Sequence, residues 1–190
     1  KKNLDSMLYS LKGESNEKPR LVHRLDKKTS GILLVARNLE TAIFFGNLLK
    51  SRNIEKIYLA LVQGKPEKKT GVIDSPIFYN NKEYESKTKY MVLKSINNQS
   101  LLIVKPKTGR KHQIRRHFYD IGHPVVGDDK YNNLDDIKSN KLFLHSFSIQ
   151  FLDKKKVRKI FFAPPPEYFI QTLNLFGFNK LEDIKVKLNF

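Results

Sequence analysis

The sequence predicts an α/β fold of the α+β type, in which a mixed, mostly antiparallel central sheet is flanked by helices and crossed by a central cleft. Two hairpins, each made of two apolar runs around a polar turn, indicate the antiparallel pairing. Segments with apolar residues at every third or fourth position indicate the helices. The hairpins pair Lys87 to Lys94 with Leu101 to Lys105, around Asn97-Asn98, and Leu142 to Phe151 with Val157 to Phe162, around Asp153 to Lys156.

The first elements are a short helix, two strands and a longer helix. Leu4 to Leu11 places apolar residues on one helix face, and an apolar strand begins at Leu21 after a polar loop. Ile32 to Ala36 is apolar and contains β-branched residues, which predicts a buried strand. Asn38 then has the place of an N-cap, and the helix that it begins is expected to end near Lys50.

Glu55 to Val62 is predicted to be a strand because its apolar side chains alternate in direction and Gly64 and Pro66 follow it. Such a strand presents one set of side chains to each face of a sheet. One face is expected to carry Ile57, Leu59 and Leu61, and the other Tyr58, Ala60 and Val62.

Two further helices are predicted in the second half of the chain. Gly109 to Ile121 is amphipathic, with Ile114, Phe118 and Ile121 on one face. Glu167 to Phe176 follows three consecutive prolines and has the composition of a helix. No internal repeat or linker divides the sequence, so we expect a single domain over residues 1–190.

The charge of the chain favours a polyanionic partner. Lys and Arg number 36 against 19 Asp and Glu, which gives a formal net charge of +17. Nucleic acid is therefore the first partner class, while solubility or a compositional bias of the genome remains an alternative. The sequence has no cysteine, which excludes disulfides and cysteine nucleophiles. Its apolar runs are far shorter than the roughly 18 to 20 residues of a membrane-spanning helix.

The segment from Lys105 to His117 contains six cations and no acid. Such a segment either binds an anion or forms a solvated helix face. Arg115 follows Ile114 directly and therefore lies at the edge of the apolar stripe, from which its side chain can reach inward. The six cations are Lys105, Lys107, Arg110, Lys111, Arg115 and Arg116.

A metal site is the competing chemistry for the histidines near this segment. His112 and His117 are five positions apart, about 140° around a helix, whereas two ligands on one helix normally lie three or four positions apart. The neighbouring Arg and Lys side chains would also repel a dication. The spacing therefore argues against metal catalysis.

Asp26 is an acid among cations, in the stretch HRLDKKTSG from His23 to Gly31. A carboxylate close to a guanidinium stays ionised, and an ionised carboxylate can act as a nucleophile or stabilise a cationic sugar. The alternative is an Asp that only stabilises a turn through side-chain to backbone hydrogen bonds. This stretch alone leaves both interpretations open.

Five segments taken together resemble the RluA family of RNA pseudouridine synthases, in order and in spacing. The resemblance runs from about Lys18 to Phe169 and includes an HRLDxxTSG loop and a downstream TGRxHQIRxH segment. The five segments are HRLDKKTSG at 23–31, EKIYLALVQGKP at 55–66, TGRKHQIRRH at 108–117, IGHPVVGDDKY at 121–131 and LHS at 144–146.

The resemblance implies an enzyme that isomerises uridine to pseudouridine in RNA without cofactor or metal. Asp26 matches the family's catalytic aspartate, which attacks or stabilises the ribose C1′, although attack on the uracil ring has also been proposed. Arg115 is expected to pair with Asp26 and keep it ionised. Tyr58 is expected to stack on the uracil and is the candidate acceptor of the C5 proton.

The family flips its target base out of the RNA, and Arg24 is expected to fill the vacated space. We expect further substrate contacts from residues of the two main motifs, whereas Arg116 and His117 are expected to face solvent. These substrate-binding candidates are Thr29, Ser30, Arg110, Lys111 and His112.

The expected partner is structured RNA, with large-subunit ribosomal RNA first and transfer RNA second. The alternative is a non-catalytic RNA-binding or ribosome-assembly module of the same fold. We expect a monomer without metal, cofactor or membrane attachment, in the cytoplasm or in an organelle with its own ribosomes. Within residues 1–190 the family's first strand, which contains Lys-Pro, and an S4-type RNA-binding domain are not recognisable.

Overall fold

The computed structural model describes residues 7–12, 17–132 and 141–188. The strands are β1 (Arg20–Leu21), β2 (Ser30–Gly31), β3 (Val35–Ala36), β4 (Glu55–Gln63), β5 (Thr70–Asp74), β6 (Ile77–Tyr79), β7 (Lys82–Tyr84), β8 (Lys87–Ile96), β9 (Gln99–Pro106), β10 (Leu144–Leu152) and β11 (Arg158–Phe162). The helices are a 3₁₀ turn at Leu8–Leu11, α1 (Leu39–Lys50), α2 (Gln113–Asp120), α3 (Glu167–Leu175) and α4 (Glu182–Lys185).

Seven of the strands form one central sheet. Its order is β11-β10-β4-β9-β8-β5. β2 and β11 pair with the same edge of β10, β2 near the first residues of β10 and β11 with its last residues. The β2 to β10 pairing is parallel and the other pairings of this sheet are antiparallel. The predicted mixed, mostly antiparallel sheet with flanking helices is therefore confirmed.

Both predicted hairpins are present. β8 and β9 turn at Asn97 and Asn98, which have positive φ angles of 48° and 55°, and β10 pairs with β11. Two consecutive left-handed residues suit a two-residue hairpin turn, and asparagine tolerates this conformation better than most residues. The predicted N-cap is also present, because the Asn38 side chain accepts a hydrogen bond from the backbone N–H of Thr41 at 2.8 Å.

The alternation predicted for β4 separates the two main cores of the protein. Ile57, Leu59 and Leu61 belong to a core that also contains side chains of α3. Tyr58, Ala60 and Val62 belong to a second core, on the other face, that contains side chains of α2. Because β4 lies inside the sheet and is covered on both faces, its side chains have fixed positions relative to both helices.

Three element boundaries differ from the prediction. Only Val35–Ala36 of the segment Ile32 to Ala36 is a strand, because Ile32 packs instead beside α1 as part of a third apolar cluster. The helix expected from Gly109 begins only at Gln113, and Ile121, expected on its buried face, is 38% exposed. The helix expected from Leu4 begins within undescribed residues, and its described part is a 3₁₀ turn.

The hairpin of β6 and β7 was not predicted. It turns at Asn80 and Asn81, both with positive φ, and it carries the exposed side chains of Phe78 and Tyr79. Arg116 on α2 donates a hydrogen bond to the Phe78 carbonyl oxygen at 2.9 Å. The hairpin is therefore attached to the helix that carries Arg115 and Arg116, the last two cations of the basic segment.

Candidate active site

Asp26 lies in a tight loop between β1 and β2. Its carbonyl oxygen accepts a hydrogen bond from the Thr29 N–H at 2.9 Å, and its side chain is 20% exposed. Gly31 then pairs with Ser146 of β10 at a φ of +107°, where an added Cβ would lie 2.2 Å from the Ser146 carbonyl oxygen. A side chain at position 31 cannot be accommodated, so glycine here lets the loop pack directly against the sheet.

The Asp26 loop forms one wall of a cavity of about 190 Å³. β4 forms the floor, and the turn before α2 together with the start of α2 forms the opposite wall. The lining residues come from four separate stretches of the sequence, which the central sheet brings together. They are Arg24, Leu25, Asp26, Thr29, Lys56, Tyr58, Pro106, Thr108, Gly109, Arg110, Lys111, His112, Gln113, Ile114 and Leu144.

The turn before α2 is held in place by the buried side chain of Gln113. Its Oε1 accepts hydrogen bonds from the Thr108 hydroxyl at 2.6 Å and from the Arg110 N–H at 3.0 Å. Its Nε2 donates to the Lys87 carbonyl oxygen at 3.0 Å. His112 precedes it with a φ of 55°, a left-handed conformation that ends the turn and starts the helix. These bonds fix the cationic side chains of the turn at the cavity.

Arg115 is buried, and its main partner is Asp128. Its Nε and one Nη donate to the two Asp128 oxygens at 2.6 Å each, whereas the other Nη lies 3.8 Å from Asp26. Burial disfavours the Arg115 cation, but the hydrogen bonds and charge of Asp128 outweigh burial and raise the pKa of Arg115. The expected pairing with Asp26 is therefore an edge contact, and the two-pronged ion pair belongs to Asp128.

Asp128 is fully buried at the side chain and holds more than the guanidinium. It also accepts hydrogen bonds from the N–H groups of Lys130 and Tyr131, at 2.9 and 3.1 Å. Although burial acts in the opposite direction, these bonds and Arg115 lower the pKa of Asp128. The Arg115 side chain is thus immobilised beside Asp26 by a carboxylate that remains charged.

His112 lies on the other side of Asp26. Its Nε2 is 3.9 Å from one Asp26 oxygen, and its Nδ1 is 3.0 Å from the Tyr131 hydroxyl. Burial is the largest of several influences and lowers the pKa of His112, which favours the neutral ring near pH 7. Asp26 therefore has a guanidinium at one oxygen and an imidazole at the other.

Tyr58 is 8% exposed and forms part of the cavity floor. Burial, together with the negative charge of Asp26, raises the pKa of Tyr58 to about 12. The phenol therefore keeps its proton at neutral pH. Such a group offers a ring face and a hydroxyl to whatever occupies the cavity, without a charge of its own.

The family of the chain is decided by comparison with known proteins. A family model described as RNA pseudouridylate synthase matches residues 1–120, which is more than half of the 190 residues. The chain belongs to the RNA pseudouridylate synthase family. The resemblance to RluA enzymes is thereby confirmed.

Two curated relatives and two solved structures illustrate this membership. A ribosomal large subunit pseudouridine synthase D from Borreliella burgdorferi is 36% identical over 184 residues, covering 89% of this chain and 56% of the relative. A synthase C from Rickettsia conorii is 40% identical over 149 residues, covering 71% of this chain and 49% of the relative. The chain thus spans about half the length of these relatives.

The structure of human RNA pseudouridylate synthase domain containing 1 is 29% identical, with a TM-score of 0.71 over 78% of this chain and 69% of the human chain. Human domain containing 4 has a TM-score of 0.77 at 23% identity, over 92% and 82% of the two chains. The second likeness concerns the fold alone. Both support a pseudouridine synthase fold for this member of the family.

Most of the expected substrate contacts of this family member line the cavity, but one does not. Arg24 is exposed at its mouth, and the Thr29 hydroxyl is buried without a hydrogen-bond partner. Lys111 lies over the Tyr79 ring at 5.0 Å. Ser30 instead hydrogen-bonds His145 at 2.9 Å, away from the cavity, so the structure gives it a place in packing β2 against β10.

The expectation that His117 and Arg116 face solvent was wrong for His117. Its ring is fully buried and lies within hydrogen-bond distance of the hydroxyls of Ser86 and Thr88, at 2.9 Å each. Burial lowers the pKa of His117. Arg116 is half-buried and bonds the β6–β7 hairpin. Both residues therefore have structural contacts.

Sequence reasoning missed Lys56 as a cavity residue. Strand alternation places Lys56 on the same face of β4 as Tyr58, and both line the cavity. Burial lowers the pKa of Lys56. The alternation already predicted for β4 was the signal that could have identified it.

Residues 7–12, 17–132 and 141–188 contain neither a candidate metal site nor a candidate membrane span. No group of three or more His, Asp or Glu side chains there is arranged to hold a metal ion. No helix within those ranges is both long enough and apolar enough to cross a membrane.

Proposed function

We propose that this chain isomerises uridine to pseudouridine in RNA, with large-subunit ribosomal RNA as the substrate. The observation that carries the proposal is the position of Asp26, with Arg115 at 3.8 Å and His112 at 3.9 Å, in a cavity whose floor is Tyr58. The two curated relatives described above, which are named as synthases of the ribosomal large subunit, support the choice of RNA.

The reaction that we propose begins with Asp26. Its carboxylate attacks the ribose C1′, and the C1′–N1 bond breaks with its electron pair on the uracil. After the uracil turns, C5 forms a bond to C1′ and the carboxylate leaves. The C5 proton is then lost, and N1 gains a proton, so the product is an isomer of the substrate.

Arg115 acts in this proposal as a positioning residue for Asp26. The cation that it presents lies 3.8 Å from one oxygen of the Asp26 carboxylate. Because Asp128 holds the guanidinium in a two-pronged ion pair, Arg115 keeps this position without help from the substrate. Preorganised charge of this kind needs no rearrangement during the reaction.

Tyr58 is proposed to pack against the uracil ring. A phenol with a pKa of about 12 is protonated at neutral pH, so it can accept the C5 proton only if its own proton first passes to another group. Stacking requires no such transfer and is supported by the position of the ring in the cavity floor. We therefore favour stacking over proton abstraction for this side chain.

RNA is proposed to enter along the cationic mouth of the cavity. Arg24 is exposed there and can fill the gap left by a flipped base, while Arg110 and Lys111 face the same opening. Their positive charges would repel a divalent metal, which supports a reaction without one. All proposed site residues come from one chain, so a monomer is sufficient for the proposed reaction. We propose that it acts in the compartment where its substrate ribosomal RNA is made.

The test is tritium release from RNA that carries 5-tritiated uridine, with the 190-residue chain as enzyme. We expect release from large-subunit ribosomal RNA, followed by detection of pseudouridine at a defined position. Release from transfer RNA but not from large-subunit ribosomal RNA would show that transfer RNA is the substrate. RNA binding without release from either RNA would instead indicate a non-catalytic module.

A further inference from the structure

Lys56 is a half-buried cation without an acidic partner in the cavity. No carboxylate oxygen of the described residues lies within 4.0 Å of its Nζ. Its neighbour Glu55 points to the other face of β4 and pairs with Lys105 at 3.3 Å and Lys107 at 3.9 Å. An unpaired ammonium in a partly desolvated site is unfavourable for folding, and an anionic ligand would compensate for it.

The proposed reaction generates such an anion. When the C1′–N1 bond breaks, the electron pair stays on the uracil, and its negative charge spreads over the ring nitrogen and the two carbonyl oxygens. Asp26 serves the ribose side of this bond and cannot stabilise a second negative charge. The departing base therefore requires a cation on its own side.

The other cations near the cavity have other contacts or lie at its mouth, and Arg110 donates through its Nε to the Glu85 carbonyl oxygen at 3.1 Å. Arg115 is committed to Asp128, and Arg24 is exposed at the mouth. Lys111 is exposed and lies over the Tyr79 ring at 5.0 Å. Lys56 lies on the floor, two positions before Tyr58 on the same face of β4, and thus next to the ring on which we propose that uracil packs.

We propose that the Lys56 ammonium binds the uracil carbonyl oxygens and stabilises the uracil anion as the C1′–N1 bond breaks. Lys56 is then a further catalytic residue, and this inference rests on the proposed function. A charged donor aimed at charge that develops in the transition state is worth about 100-fold to 1,000-fold in rate. An RNA phosphate offers the same anionic chemistry, and the experiment separates these two sources.

The first part of the experiment measures binding without turnover. The probe is 5-nitrouracil, whose nitro group makes N1–H acidic, so that the free base carries the charge of the departing uracil near neutral pH. We expect saturable binding to the chain by titration calorimetry, at least tenfold weaker binding to Lys56→Met, and near-native binding to Lys56→Arg. Lys89→Met, at an exposed position on β8 outside the cavity, is the charge-matched control and should bind as the unaltered chain does.

The second part measures single-turnover tritium release from large-subunit ribosomal RNA. Lys56→Met should slow the chemical step about 100-fold while the affinity for RNA changes less than threefold. Lys56→Arg should restore at least a tenth of the native rate, which a purely structural role for lysine would not explain.

Each outcome decides a separate question. Equal binding of 5-nitrouracil by the unaltered chain and Lys56→Met, or no binding by either, overturns the proposal for Lys56. Displacement of 5-nitrouracil by an equal concentration of inorganic phosphate assigns the site to a phosphate and also overturns it. If the unaltered chain binds 5-nitrouracil through Lys56 but releases no tritium from any RNA, the proposed function fails while the anion site stands.

Discussion

Asp128→Asn tests the ion pair that positions Arg115. The substitution keeps the size of the side chain and an oxygen for the N–H groups of Lys130 and Tyr131, but it removes the charge that faces the buried guanidinium. Removing one partner of a buried ion pair costs about 3–5 kcal/mol, because the remaining charge is buried without compensation. We expect the lower end, about 3 kcal/mol, since the hydrogen bonds partly remain.

Thermal and urea unfolding measure this loss. For a chain of this size, about 3 kcal/mol corresponds to a Tm lower by roughly 6–12 °C. Asp129→Asn is the matched control, because Asp129 also contacts Arg115, at 3.6 Å, but its side chain is 60% exposed. An exposed pair contributes below about 1 kcal/mol. Equal destabilisation by the two substitutions would refute the assignment of Asp128 as the main partner of Arg115.

The pH dependence of the same pair gives an independent check. The pKa of Asp128 is lower in the folded chain than its ordinary value of 3.8, so its contribution to stability is fully present above that value. The contribution is lost as the pH falls through the folded-state pKa. The difference in unfolding free energy between the unaltered chain and Asp128→Asn should therefore be constant above about pH 5 and shrink below the ordinary Asp pKa.

Three further predictions concern Tyr58, Lys111 and His23. The rate of tritium release by Tyr58→Phe should stay within about threefold of that of the unaltered chain, because the ring is retained, whereas Tyr58→Ala should be at least about tenfold slower. Equally large losses of rate in both variants would indicate that the hydroxyl takes part in the reaction. RNA affinity should fall steeply with salt, and Lys111→Met should reduce the slope of log K against log salt by about one, while an unchanged slope would exclude a phosphate contact. Burial and Lys56 lower the pKa of His23 from 6.5 to about 4. The unfolding free energy should therefore fall by up to roughly 3 kcal/mol as the pH is lowered from 6.5 to 4, because the unfolded chain binds the proton first. His23→Gln should flatten this pH dependence.

The parts of the fold that sequence predicted well are those with local signals. The alternation of β4 was readable because each face of the strand meets a separate core, and the β8–β9 turn was readable from Asn97-Asn98. The β6–β7 hairpin had a similar signal in Asn80-Asn81, which both adopt positive φ, but its strands are only three residues long.

The partner of Arg115 could not be read from the sequence. Asp128 and Asp129 are adjacent and chemically alike, yet one is buried and the other exposed. The residue before them, Gly127, has a φ of +74° and packs against the Lys141 carbonyl oxygen, which an added Cβ would approach to 1.9 Å. The choice between the two acids is therefore made by packing between distant segments.

Resemblance and structure contributed differently to the site. The resemblance named Asp26, Tyr58 and Arg115, and the structure places all three at one site. Ser30 was named with them because it lies in the same motif, but strand pairing turns it toward His145. A motif reports which residues occur together, and the direction of each side chain depends on the sheet that carries the motif.

The most direct test of the account is tritium release by Asp26→Ala on large-subunit ribosomal RNA. Asp183→Ala, an exposed acid on α4, serves as the matched control and should release tritium at the native rate. We predict that Asp26→Ala binds the RNA within about twofold of the unaltered chain and releases no tritium above background. Release by Asp26→Ala at a rate close to that of the unaltered chain would contradict the assignment of Asp26 as the nucleophile.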